Sequence, residues 1–267
     1  MELPEGFIDI HSHLLPGVDD GSEDIEMSLE LIDQGMEDGI RTWMLTPHVL
    51  DGFTKELDNF HTQRFEELLE AVDRRGIDVE LHLASEIMFQ GELEIIQSRR
   101  TSTYGNNGKY LLMEFPMSAY PRSAGEVFFE FQMAGLRPIV AHPERNTELM
   151  KDVRLIQSMV DRGLYMQINA RSLTHEGSGP VRRTAEILVK SGGAHFVASD
   201  AHNPSWRPAL LREAFERVAE LTDEANACRL FIDNPRAAIE GGTIDTSIPD
   251  LPDQEPWWQK LYSIIRG

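Results

Sequence analysis

This sequence predicts an α/β fold of parallel strands, in which seven strand–helix units are wound into a closed or nearly closed barrel. Three observations predict it. Seven short apolar runs recur along the chain, and segments with helical periodicity separate them. Every run ends in, or is followed at once by, a residue suited to coordination or hydrogen bonding. The first two observations also fit an open doubly wound sheet. The third favours the barrel, because the C-terminal ends of parallel barrel strands converge on one face, where such proteins build their sites.

The first run, FIDIH (7–11), opens the stretch FIDIHSHLLPGVDDGSED. In an extended strand Asp9, His11 and His13 point one way while Ile8 and Ile10 point the other. A helix follows in SEDIEMSLELIDQGMEDG, where Ile25, Leu29, Ile32 and Met36 fall on one stripe. Ser22 is its expected N-cap and Gly39 its expected stop. The remaining strands are expected at TWMLT (42–46), ELHLASE (80–86), YLLME (110–114), PIVAH (138–142), YMQIN (165–169) and HFVASD (195–200). Helices are expected near 58–75, 123–134, 149–162, 181–191 and 206–221, joined to the strands by right-handed crossovers. The link 87–109 holds a short helix and then the turn-rich YGNNGK. The sequence shows no internal repeat and no low-complexity tract.

Residues 1–245 read as one domain and 246–267 as an acidic, proline-punctuated linker with a terminal amphipathic helix. In that tail Trp257, Leu261, Ile264 and Ile265 share one helical face, expected to pack back on the barrel or across an oligomer interface.

Composition narrows the function. No run of 18 apolar residues occurs, and MELPEGF has neither a basic region nor an apolar signal core, so a soluble, cytoplasmic protein without membrane insertion is expected. The single cysteine, Cys228, excludes an intramolecular disulfide. Forty-five acidic residues against 25 basic ones leave a net charge of −20, which argues against nucleic acid as a partner.

The residues at the strand ends are His11 and His13, His48, Glu86, Glu114, His142, Asn169, Asp200 and His202. Imidazoles and carboxylates are the ligand types that hold divalent metals. With Asp20 from the DD pair, five imidazoles and four carboxylates make nine candidate ligands. That is too many for one ion with open positions and enough for two or three. The other histidines have weaker claims. His61 belongs to a helix and His175 to a loop. His82 sits four residues deeper than Glu86, in the core or barrel floor, and His195 lies on the strand face opposite Asp200.

Taken together, DIHSHLLPGVDDGSED, TPHV, ASEI, LMEF, AHPER, QINARSL, ASDAHN and IDNPR resemble the polymerase-and-histidinol-phosphatase (PHP) superfamily. The resemblance spans approximately residues 7 to 240. HSHxLPGVDDG and HPER make it closest to the capsular-polysaccharide branch, the CpsB/CapC/YwqE-like manganese-dependent bacterial protein tyrosine phosphatases. It implies a distorted (β/α)7 TIM-like barrel, the PHP fold, with its metal site at the C-terminal strand ends. Its metal ligands would carry over as His11, His13, Asp20, His48, Glu86, Glu114, His142, Asp200 and His202. The motif arginines match Arg145 in HPER and Arg207 after ASDAHN. Two positions depart from the pattern. Val49 stands where many relatives carry a second His or an Arg, and Arg171 where a small residue is usual; both are expected to alter the pocket mouth.

The implied activity is phosphomonoester hydrolysis with two or three divalent ions. Manganese is the family's metal, although mixed imidazole and carboxylate ligands also accept iron, zinc or cobalt. Close divalent ions polarise a phosphoryl oxygen and make hydroxide available at neutral pH, and Glu86 is of a type that bridges two of them. Arg145 and Arg207 would clamp the non-bridging oxygens. The implied partner is the phosphotyrosine tail of a polysaccharide-export tyrosine kinase. Cysteine-dependent phosphatase chemistry does not fit, since the sixth residue after Cys228 is Asn234 rather than an arginine. A small-molecule enzyme such as histidinol-phosphate phosphatase shares the metal chemistry. A non-catalytic, metal-stabilised scaffold would be expected to have lost ligands, yet all nine positions keep coordinating residues.

Overall fold

The computed structural model describes residues 6–89, 93–174 and 179–244. The expected tail helix and His175 lie outside them. Nine strands, each pairing parallel, occur among the described residues: β1 (Phe7–Ser12), β2 (Ile40–Leu45), β3 (His48–Val49), β4 (Glu80–Leu83), β5 (Glu86–Met88), β6 (Tyr110–Glu114), β7 (Arg137–Ala141), β8 (Tyr165–Asn169) and β9 (Phe196–Ala198).

The seven-strand ring expected from sequence is not what the described residues form. They make two parallel sheets, β1-β2-β4 and β3-β5-β6-β7-β8-β9. A further short strand, β3, follows TWMLT, ELHLASE is broken into β4 and β5, and in both cases the two successive strands belong to different sheets. The first break falls at Pro47, which has no N–H to give to a ladder. The second falls at Ala84–Ser85, inside ELHLASE. Hydrogen bonds from Ala84 N–H to the Leu45 carbonyl (2.8 Å) and from Glu86 N–H to the Pro47 carbonyl (3.1 Å) run across both breaks. At the other edge β1 meets the end of β9 through an isolated Ser12–Ala201 bridge. There Asp200 N–H donates to the His11 carbonyl and His13 N–H to that of Ala201, both at 2.8 Å.

Strand alternation builds two cores. Phe7, Trp43, Leu111, Val140, Ile168 and Val197 face the helices in the larger one. Ile8, Ile10, Met44, Leu112, Ile139, Phe196 and Ala198 form a second, inner cluster, into which the Tyr104 hydroxyl donates to the Ile10 carbonyl (2.8 Å). Ala84, Leu112 and Ala198 each precede a polar residue by two positions, namely Glu86, Glu114 and Asp200. Period-two alternation within β6 therefore puts Glu114 on the same strand face as the apolar Leu112.

The helices follow the predicted pattern with local shifts. The first spans Ile25–Asp38 and is capped by Asp24, whose carboxylate accepts from Met27 N–H, rather than by the expected Ser22, which is buried. Gly39 ends it in the left-handed region (φ 108°), as its position predicts. The helix expected over 149–162 is two, Thr147–Lys151 and Arg154–Asp161, and the last expected helix begins at Arg212, beyond Pro208. No helix among the described residues is long and apolar enough to cross a membrane.

Candidate metal centre

All nine candidate ligands come together at one end of the strands. Their donor atoms fall into four overlapping groups, each within 4.8 Å: His13, Asp20, His48 and His202; His11, His142 and Asp200; His11, His13 and Glu86; and His48, Glu86 and Glu114. Glu86 is the hinge of the arrangement. Its Oε2 lies 3.2 Å from His11 Nε2, 3.4 Å from His13 Nε2 and 2.9 Å from His48 Nδ1, and its Oε1 lies 3.0 Å from His142 Nε2. His11, His13, Glu86, Asp200 and His202 are buried, whereas Asp20 stands largely exposed at the rim.

The local backbone is bent to achieve this. His142 (φ 30°) and Asp200 (φ 53°) both sit in the left-handed region, where non-glycine residues are strained and which recurs at functional sites. Gly21 allows the VDDG turn to lie against β1. A Cβ there would be 2.1 Å from the His13 carbonyl oxygen, and only glycine permits that approach.

The sequence reading chose Asp20 from the DD pair and missed Asp19. Asp19 Oδ2 accepts from His13 Nδ1 (2.8 Å) and from His48 N–H (3.0 Å), and Oδ1 accepts from Gly21 N–H (3.0 Å). Asp19 thus orients His13 from behind, and adjacent aspartates pointing to different sides were the available signal. Gln167 and Asn169 do the same for His11. Asp200 Oδ2 can only accept, so it takes the Asn169 amide N–H (2.5 Å); Asn169 Oδ1 then accepts from Gln167 Nε2 (2.9 Å). That leaves Gln167 Oε1 to accept from His11 Nδ1–H (2.9 Å) and turns the bare Nε2 of His11 into the cluster. Glu144 of HPER was also missed. It is buried and accepts from Asn169 N–H (3.0 Å) and the Ser172 hydroxyl (2.7 Å), fixing the turn after β8.

Asp9 departs from the expected alternation. Instead of joining His11 and His13 it accepts from the Ser199 backbone N–H (2.9 Å) and hydroxyl, because the β1 register slips between Asp9 and Ser12. Val49, expected at the pocket mouth, is buried in the larger core. His82 is half-buried and bonds Glu80 (2.9 Å), while His195 accepts from Met166 N–H (3.1 Å) and takes no part in the cluster. His61 is buried in the helix Lys55–Arg75 with neither ring nitrogen partnered.

The two arginines differ. Arg145 ends a single helical turn, Pro143–Arg145, just after His142, and among the described residues no carboxylate pairs with it. Arg207 is already engaged: its guanidinium pairs with Asp200 Oδ2, and its Nε donates to the Asp200 carbonyl (3.2 Å).

The electrostatics of the cluster are uneven: burial, and then the charge of His13, push His202 down to about 3. Burial opposes a proton on His13, yet its contacts with Asp19 and Glu86 outweigh this and lift it to about 10. His142 is lifted to about 9 against its burial, mainly by Glu86. Glu86 and Asp200 are held well below the usual carboxylate range despite burial, by His11 foremost. Crowded lone pairs that hold protons this tightly are the donor set that a divalent cation would take over, so the residues fit a metal cluster.

Residues 7–240 match the family model "Capsular polysaccharide synthesis, CpsB/CapC". The tyrosine-protein phosphatase YwqE of Bacillus subtilis is 35% identical over 207 residues, covering 78% of this chain and 82% of YwqE. The tyrosine-protein phosphatase CpsB of Streptococcus pneumoniae is 29% identical over 238 residues, 87% of this chain and 98% of CpsB. A solved structure, from work on YwqE and CpsB as unique metal-dependent tyrosine phosphatases, superposes with a TM-score of 0.84 at 31% identity, covering 93% of this chain and all of that one. The phosphotriesterase homology protein of Escherichia coli shares the fold alone, with a TM-score of 0.55 at 15% identity over 89% of this chain and 99% of that one.

Proposed function

The chain belongs to the CpsB/CapC family of capsular polysaccharide synthesis, and we propose that it is a metal-dependent phosphatase that hydrolyses phosphotyrosine. One observation carries the reading: nine imidazole and carboxylate donors converge in four overlapping groups, two of which contain Glu86. The metal ligands are His11, His13, Asp20, His48, Glu86, Glu114, His142, Asp200 and His202. They hold two or three ions, with manganese favoured by family resemblance and iron, zinc or cobalt compatible with the donor types. Bound ions of this kind polarise a phosphoryl oxygen, lower the pKa of water and stabilise the leaving oxygen.

The chain's own residues supply the rest. Arg145, free of carboxylate partners among the described residues, meets the non-bridging phosphoryl oxygens through charge-assisted hydrogen bonds. Arg207 steadies Asp200 and brings a guanidinium to the ligand cluster. Both offset the repulsion between an anionic ester and a chain of net charge −20. A tyrosine leaving group, with a pKa of about 10, needs less protonation than an alkyl alkoxide, so no dedicated general acid is required.

The two sheets read as a distorted (β/α)7 barrel interrupted at Pro47 and Ala84–Ser85, supported by the hydrogen bonds that cross both breaks and by the Ser12–Ala201 bridge. The substrate is the phosphotyrosine tail of a cytoplasmic tyrosine kinase that controls polysaccharide export, with residues 1–245 acting as the phosphatase domain. The test is phosphate release from matched phosphotyrosine and phosphoserine peptides and from histidinol phosphate, with Mn²⁺ and with a chelator. Chelator-sensitive turnover favouring phosphotyrosine is expected. Preference for histidinol phosphate would move the enzyme to metabolism, and no turnover despite bound metal would leave a scaffold.

A further inference from the structure

Trp206 is half exposed, yet it stands beside the cluster. Its ring centroid lies 6.2 Å from that of His202, and the Arg207 guanidinium lies 5.9 Å from the Trp206 ring. The other large exposed aromatics among the described residues, Phe60 and Phe129, belong to helices and touch no candidate ligand. Leaving an indole in water forgoes burial worth about 2 kcal/mol or more for a side chain of its size, so its position calls for a reason.

The turn that carries it is firmly built. Asn203 and Arg207 exchange backbone hydrogen bonds at 3.1 Å in both directions, and His202 N–H donates to the Arg207 carbonyl (2.9 Å). Ser205 N–H donates to the Asn203 side chain (2.9 Å), and Gln34 Nε2 donates to the Pro204 carbonyl (3.1 Å). Trp206 is therefore held between a candidate metal ligand and a candidate phosphate-binding arginine, with part of its surface open.

We propose that Trp206 is a specificity-determining residue that packs against the aromatic ring of the phosphotyrosine. The inference rests on the phosphatase reading of the cluster and adds to it a reason for choosing aryl over alkyl esters. With the phosphoryl group at the ligands and at Arg207, the ester's aromatic ring emerges beside His202, where the indole offers a flat apolar surface. Aromatic rings associate through offset or edge-to-face contact, which an alkyl chain does not reproduce. A phosphoserine side chain, with one carbon between ester oxygen and backbone, brings no ring to that surface.

The experiment compares Trp206→Ala, Trp206→Phe and the unaltered full-length, metal-loaded protein on phosphotyrosine and phosphoserine peptides of one sequence. It also measures calorimetric binding of the non-hydrolysable phosphonomethylphenylalanine peptide, metal content and Tm. Trp206→Ala is expected to lower kcat/KM for phosphotyrosine about 10-fold, a change of about 1.4 kcal/mol. It should weaken the phosphonate peptide to a similar degree and leave phosphoserine turnover and metal content unchanged, with Trp206→Phe recovering most of the loss. Equal losses on both peptides would overturn the proposal and make Trp206 a support for His202 and Arg207, as would no loss on either. If the unaltered protein itself showed no phosphotyrosine turnover, the phosphatase reading would fall first and this proposal with it.

Discussion

The Nε2 atoms of His11 and His13 face one another at 3.2 Å, with each ring's Nδ1 turned away to an acceptor, Gln167 for His11 and Asp19 for His13. Asp19 and Glu86 outweigh burial and lift His13 to about 10. A metal must displace the proton on His13 and the one on His142, held to about 9. Metal binding at neutral pH should therefore release protons, and affinity should fall as pH falls. Calorimetric titration with Mn²⁺ in buffers of different ionisation enthalpy measures the number released; a value of zero would mean that the ion binds elsewhere.

The amide chain from Asp200 through Asn169 and Gln167 to His11 fixes which nitrogen of His11 faces the cluster. Gln167→Leu removes the acceptor for Nδ1–H without replacing a ligand. Metal affinity should drop by about 10- to 100-fold, as is usual when a ligand's supporting hydrogen bond is lost. Equilibrium dialysis with metal analysis reads this directly, and unchanged occupancy at limiting Mn²⁺ would count against the assignment.

Arg145→Ala should lower kcat/KM for a phosphotyrosine peptide by about 100-fold, on the scale of losing one charged donor to a transition-state oxygen. Metal content should not change, because the one hydrogen bond from Arg145 to the nine ligands, its N–H to the His142 carbonyl (3.0 Å), is made by the backbone and survives the substitution. A loss of less than twofold would make Arg145 a surface cation with no part in the reaction.

Acid stability should report the buried histidines outside the cluster. Burial pushes both His61 and His195 down to about 4. Between the unfolded value of about 6.5 and 4, the unfolded chain binds more protons than the folded one. Their contribution is thus fully present above pH 6.5 and lost as the pH falls towards 4. Because neither nitrogen of His61 has a partner, His61→Leu should raise stability by about 1 kcal/mol at pH 7 and flatten the acid limb. Denaturant unfolding of the metal-free protein at pH 7, 5.5 and 4.5 gives the comparison, and destabilisation at pH 7 would show that His61 has a partner in solution.

The sequence by itself determined the alternation of strand and helix, the strand-end set of candidate ligands and the family. These are local properties: apolar period sets which face of an element is buried, and HSH, HPER and SDAH carry their ligand types within a few residues. Tertiary structure decided the remainder. Pro47 and the irregular ELHLASE run divided the expected ring into two sheets, because a ladder needs an N–H at each step and a regular pleat. A register slip in β1 sent Asp9 to Ser199 while His11 stayed in the cluster, which strict period-two reasoning does not foresee. The supporting residue Gln167 acquires its role from a partner far along the chain, His11, across 156 positions. Hydrogen bonds at that separation are fixed by packing and direction rather than by any local pattern. The same cause left Arg207 committed to Asp200 and Arg145 without a carboxylate partner among the described residues, a difference that two arginines in two short motifs cannot express.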